Sequence, residues 1–328
     1  MKKLLALVLS AVMALSLVAC GGGETVESHE LKMARVLGTA SGTNCFATAT
    51  AVVEGDKVVA AYVDEYQFMS GEGLVSVPNA ENYTDYLAEG VSLISKRVDT
   101  AVYSGNMTNW AGATLPIETS LEAIQSHVAG KTIAELETLI AGEKTAVVDA
   151  IAGATLAESA GYIGVIVEAA KAAQAATAVT YEGSLDALTL KHTLGAAHGT
   201  KCFAEITVLT DGEKVVAAYI DEYQFMSGDA LVGVPNSENF TESLAEGVKL
   251  VSKRADTAVY SEKMAAAGST VAIDANYDAI QAHVAGKTIA ELETLVAGEA
   301  TAVVDAVAGA TLVDTAGYIQ AVIDTAKA

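Results

Sequence analysis

The chain repeats itself. KVVAAY at Lys57 recurs at Lys214, DEYQFMSG at Asp64 recurs at Asp221, and HVAGKTIAELETL at His127 recurs at His283. The offset is 157 residues up to Tyr103 and Tyr260 and 156 from His127 onward, so one residue has been gained or lost in between. A period this long is no solenoid repeat, which runs to roughly 20–50 residues, and it predicts two tandem domains. Each half is long enough to bury a core of its own. The expected boundaries are a leader over residues 1–19, a tether over 20–30, and domains over 31–177 and 186–328. The Ala- and Thr-rich stretch from Ala172 to Asp186 is the expected junction.

Within each half the pattern is α+β. Residues 44–53 and 57–66 alternate as strands around the turn Glu54-Gly55-Asp56, which predicts an antiparallel hairpin. Asp211-Gly212-Glu213 repeats that turn. Helical spacing predicts helices over Tyr83–Lys96, Leu121–Ala129 and Ile133–Leu139, and again after residue 155. An antiparallel sheet with packed helices is the expected architecture of each half.

Two matched strings end the halves, DAIAGAT from Asp149 to Thr155 and DAVAGAT from Asp305 to Thr311. Gly153-Ala154 and Gly309-Ala310 strip side-chain bulk from beside each hydroxyl, so a phosphate or a modifying enzyme can approach the backbone. The apolar periodicity that follows predicts that each threonine stands at a helix N-terminus, where free N–H groups and the helix dipole favour an anion. The competing reading is a plain helix cap, with Glu158 or Asp314 three residues on returning the bond. Ala111–Leu115 also reads AGATL, but Thr108 stands where the aspartate would be.

The paired strings resemble the covalent flavin attachment motif of FMN-binding domains, D-x-x-[ST]-G-A-[ST], with Ala152 and Ala308 at the fourth position. The resemblance extends over nearly the whole chain after the leader, and is to the flavin-bearing domains of sodium-pumping NADH:quinone oxidoreductases and Rnf-type complexes. The tandem arrangement is most similar to flavinylated lipoproteins of Gram-positive extracellular electron transfer. It implies two FMN groups carried as phosphoesters on Thr155 and Thr311, attached by an FAD:protein FMN transferase. Asp149 and Asp305 would then serve recognition by that enzyme. It implies an electron carrier rather than a stand-alone catalyst, taking electrons from a membrane NADH- or quinone-linked reductase and passing them to extracellular acceptors. For the flavin ring, the repeated DEYQFMS offers contacts. Alternation sends Tyr66 and Phe68 to one face and Gln67 and Met69 to the other, so one pair faces the ring and the other is ordinary core. Gln67, Met69, Gln224 and Met226 are the candidate ring contacts, against Tyr66, Phe68, Tyr223 and Phe225. Lys96-Arg97 and Lys253-Arg254, conspicuous basic pairs in an acidic chain, would neutralise phosphate or reduced flavin in one reading; the favoured reading is a solvated helix end.

Lys2 and Lys3 precede an apolar run that ends in Leu17-Val18-Ala19-Cys20, the shape of a secretory signal. The cysteine makes it similar to a bacterial lipobox, with Cys20 as the lipidated first residue of the mature chain. The expected location is the outer face of the cytoplasmic membrane, held by lipid. The formal charge of −22 excludes a nucleic-acid partner, which needs a positive footprint. Cys45 and Cys202 occupy equivalent places and read as small buried hydrophobes. The five histidines lie in no zinc spacing and read as structural, so no metal is expected. The competing class for the whole chain is a cofactor-free binding or adhesion lipoprotein whose threonines only cap helices.

Overall fold

The computed structural model describes residues 27–328, so the leader, Cys20 and the start of the tether lie outside the described residues. In the first half β1 (Ser28–Gly38), β2 (Cys45–Glu54), β3 (Lys57–Ser70) and β4 (Val91–Ser95) form an antiparallel meander. Helices α1 (Thr100–Ala111), α2 (Ile117–Val128), α3 (Ile133–Ile140), α4 (Lys144–Asp149) and α5 (Ser159–Ala175) follow. The second half repeats the order with β6 (Thr189–Gly195), β7 (Cys202–Thr210), β8 (Val215–Ser227) and β9 (Val248–Ser252). Its helices are α6 (Thr257–Ala266), α7 (Ile273–Val284), α8 (Ile289–Val296), α9 (Ala300–Ala306) and α10 (Thr315–Lys327). The protein is α+β, with the predicted hairpin present in both halves.

Three expectations change. The stretch from Tyr83 to Lys96 is not a helix. Gly90 takes φ 74°, and VSLIS pairs instead with the end of β3, where Tyr66 faces Ser95 and Ser70 faces Val91. The open ladder groups on the edge of β3 that β2 does not take outweigh a weak helical period. The junction is partly structural, because β5 (Val179–Glu182) adds to β1 as a fifth strand of the first sheet. That pairing draws in Ser28 to Glu30, expected in the tether.

Side chains on the two faces of each sheet have different partners. Ala47, Ala49, Ala51 and Val63 face α2 and α5 and pack with Leu121, Ile124, Tyr162 and Ile166. Ala204, Ile206, Val208 and Ile220 do the same beneath α7 and α10. The opposite faces meet each other. Phe46, Tyr66, Phe68 and Tyr83 of the first half share one cluster with Phe203, Tyr223, Phe225 and Phe240 of the second. The order across the molecule is therefore helices, sheet, sheet, helices. Each aromatic residue buries roughly 150–250 Å², so this seam is a core in its own right.

The seam is reciprocal. Asn79 Nδ2 donates to the Cys202 carbonyl at 2.7 Å and Asn236 Nδ2 to the Cys45 carbonyl at 2.7 Å. Ala88 N donates to Ser243 O and Ala245 N to Tyr86 O, both at 2.9 Å. Residues 157 apart thus exchange roles, as in an isologous dimer.

Candidate functional site

Thr155 and Thr311 are both exposed and both lie four residues before the helix that follows, in a segment without regular secondary structure. Neither caps it. The cap positions are Glu158 and Asp314, without side-chain cap bonds, and the first-turn hydroxyls Ser159 Oγ and Thr315 Oγ1 donate back to Leu156 O and Leu312 O. The predicted place at a helix N-terminus, and the Thr155–Glu158 capping pattern, are therefore corrected: the intervening turn takes up the distance. Gly153 and Gly309, at φ 91° and 93°, turn the chain into that segment, a conformation that favours glycine. Ala154 and Ala310 are buried beneath it.

What fixes each threonine comes from α2 and α7. The Thr155 N–H donates to Ser120 Oγ at 3.3 Å, and the Thr311 N–H to Asn276 Oδ1 at 2.6 Å. The Thr311 hydroxyl reaches the same Asn276 oxygen at 3.3 Å. Ser120 and Asn276 are fully buried. Asp149 and Asp305 are exposed at the ends of α4 and α9.

A cleft opens beside each threonine. In the first half Ser41, Tyr103, Met107, Ile117, Leu156 and Tyr162 line about 160 Å³. In the second, His198, Tyr260, Met264, Ile273, Leu312 and Tyr318 line about 130 Å³. These six positions correspond one to one, and the substitution of Ser41 by His198 is the one change of chemistry among them.

Behind each cleft lies a buried ion pair. Lys96 Nζ donates to Glu65 Oε2 at 2.5 Å, and Tyr162 and Ser41 hydroxyls each reach the same oxygen at 2.7 Å. Ser41 N–H donates to Glu65 Oε1 at 2.9 Å. Lys253 and Tyr318 serve Glu222 likewise. Burial works against both charges, yet Lys96 holds Glu65 below the usual carboxylate range and Glu65 holds Lys96 above the usual lysine range. Lys96 and Lys253 are 2% and 0% exposed, so the expectation of solvated helix ends is corrected. Each lysine also lies over a tyrosine ring, Tyr103 at 4.6 Å and Tyr260 at 4.7 Å.

The expected ring contacts divide as the alternation required. Tyr66, Phe68, Tyr223 and Phe225 belong to the seam between the halves. Gln67, Met69, Gln224 and Met226 are half-buried on the other face, but none of them lines either cleft. The cleft walls come instead from α1, α2 and α5 and their counterparts.

Cys45 and Cys202 are free and buried, as the sequence suggested. His198, Cys202 and Glu222 gather their ligand atoms within 4.8 Å of one another, a grouping the sequence spacing did not reveal. Burial pushes the Cys202 thiol up to about 12, and the Lys253 ammonium bonded to Glu222 is already the cation of that cluster.

Compared with family models, with curated proteins and with solved structures, the chain matches none.

Proposed function

We propose that each half carries FMN as a phosphoester on its motif threonine, Thr155 or Thr311, and that the chain is a two-flavin electron carrier. One observation carries this reading: both halves present an exposed threonine whose next residue, Leu156 or Leu312, lines a cleft walled by tyrosine and methionine. Apolar and aromatic walls suit a ring system, and an exposed hydroxyl suits an enzyme-catalysed attachment. In that attachment the threonine oxygen bonds to the FMN phosphorus of FAD, the pyrophosphate bond breaks, AMP leaves, and the hydroxyl proton is lost to solvent. Ser120 and Asn276 hold the threonine backbone in place; Ser120 leaves the Thr155 hydroxyl free, while Asn276 also accepts from the Thr311 hydroxyl. Bound flavin would supply one- or two-electron exchange. The protein's own part is to position the ring and to set the Lys96–Glu65 and Lys253–Glu222 ion pairs behind it.

The resemblance extends the proposal to a lipid anchor at Cys20, a membrane reductase as donor and extracellular acceptors. The test is intact mass after co-expression with an FAD:protein FMN transferase of proven activity. Two FMN increments are expected in the parent, one in Thr155→Val, one in Thr311→Val and none in the double variant. A parent without increments would overturn the carrier and leave a cofactor-free binding lipoprotein.

A further inference from the structure

The hydrogen bonds of the seam are reciprocal at Asn79 and Asn236 and at Ala88 and Ala245, and the exceptions that involve charge concentrate at one point. Thr50 faces Thr207, its own counterpart, with the two hydroxyls 3.4 Å apart, which marks the pseudo-two-fold axis. Next to it Thr48 faces its counterpart Glu205, donating to Oε1 at 2.7 Å. Arg35 corresponds in sequence to His192, and here the two halves differ most. Arg35 Nη1 donates to Glu205 O at 2.8 Å and lies 3.4 Å from Glu205 Oε2, Nε donates to Thr50 Oγ1 at 3.1 Å, and Nη2 donates to Thr207 Oγ1. His192 Nε2 meets Glu205 Oε1 at 3.0 Å and its ring stacks on Tyr62 at 4.0 Å. Tyr223 OH also donates to Glu205. Arg35 and Glu205 are 6% and 0% exposed. Burial would push Glu205 up, but Arg35 and the bonds from His192 and Thr48 hold it at about 2.

We propose that Arg35 and Glu205 are a pairing code, which makes the inner sheet face of the first half a docking surface for the second half and for no copy of itself. The symmetry makes the alternatives explicit. Two first halves docked alike would set Thr48 against Thr48 and bury two Arg35 guanidinium groups with no glutamate between them, only the buried Asp64 in the place of Asp221. Two second halves would set Glu205 against Glu205 in the same buried place, with His192 where Arg35 now stands. A buried charge without its partner is strongly unfavourable, and like charges face to face more so. The Asn79 and Asn236 bonds and the paired rings Phe46, Tyr66, Phe68 with Phe203, Tyr223, Phe225 recur in any of the three pairings; Tyr86 on Phe225 and the apolar contacts of β5 do not, but they carry no charge. One ion pair therefore selects the partner, as a single polar residue fixes register in a coiled coil.

The test uses the whole chain. A protease site is placed between Gly183 and Ser184, the folded protein is cut there, unfolded in urea and diluted to refold, and native mass spectrometry counts the pairs. More than nine-tenths of the pairs are expected to be first half with second half. In the Arg35→Leu/Glu205→Thr variant, cut and refolded in the same way, like pairs are expected to rise toward the random one-quarter each. Like pairs abundant in the parent, or halves recovered singly or aggregated, would overturn the proposal. So would undiminished selectivity in the neutral variant, or its failure to pair, because every reciprocal contact remains in it.

Discussion

Replacing Lys96 with Met isolates the energetics behind the first cleft. The ammonium is 2% exposed and bonded to a carboxylate that is 0% exposed. Methionine fills much of the same space but leaves Glu65 buried, with only the Ser41 and Tyr162 donors. Breaking a buried pair from one side costs about 3–5 kcal/mol. At roughly 2–4 °C per kcal/mol for a chain of this order, the melting temperature should fall by about 10 °C. The sign with pH follows from Glu65. In the parent its carboxyl is held below 4.5, so its contribution is present above that pH and is lost as pH falls. Without Lys96, burial alone dominates and raises it, so Glu65 becomes destabilising above pH 4.5 and that burden lifts on acidification. The deficit of Lys96→Met measured by urea unfolding should therefore be largest near pH 7 and shrink toward pH 4. Adding Glu65→Gln should recover most of it. A loss under about 1 kcal/mol, or a double variant no better than the single, would refute the buried-pair account.

Three further outcomes rest on local geometry and on charge. A Cβ on Gly161 would sit 2.0 Å from the Ala40 carbonyl oxygen, and on Gly317 2.2 Å from that of Ala197, so either Gly→Ala change should destabilise by about 1–3 kcal/mol or more in urea unfolding. Gly105→Ala on the open face of α1 meets nothing within 4 Å and should instead gain up to about 1 kcal/mol from helix propensity. Burial raises Asp64 to about 7, so the folded state holds a proton that the unfolded state releases, and Asp64 should lower stability as pH rises from about 4 to 7. Asp64→Asn should flatten that slope in a pH series of urea midpoints; an unchanged slope would assign it to other groups.

Turn chemistry and alternation made the hairpins readable from Glu54-Gly55-Asp56 and its counterpart, and the apolar spacing made α2 and α3 readable. β1 went unread because Arg35 interrupts the pattern, and its reason for being there is a partner 170 residues away. β4 went unread because its pairing with β3 is tertiary, while its own period is ambiguous. The duplicated motif located the threonines but not the clefts beside them, nor Ser120 or Asn276, whose small polar side chains look unremarkable on a helix. Lys96 next to Arg97 read as surface because two adjacent cations rarely enter a core; Glu65, in the equally duplicated DEYQFMS, was the missing half of that sentence. The seam did leave a trace. CFATATAVV and CFAEITVLT are nearly free of charge on both alternating faces, the mark of a strand covered on two sides.

Strand alternation has one more result. Glu65 and Tyr66 are consecutive, as are Glu222 and Tyr223, so in each half the residue behind a cleft and the residue in the seam are neighbours pointing opposite ways. The Tyr66 and Tyr223 rings stand 6.5 Å apart. The two clefts therefore lie back to back across a pair of sheets, and sheets pack about 10 Å apart. Each cleft opens on the helix side of its own sheet, so both sheets and the aromatic seam lie between the two, and what separates them is protein rather than electrolyte.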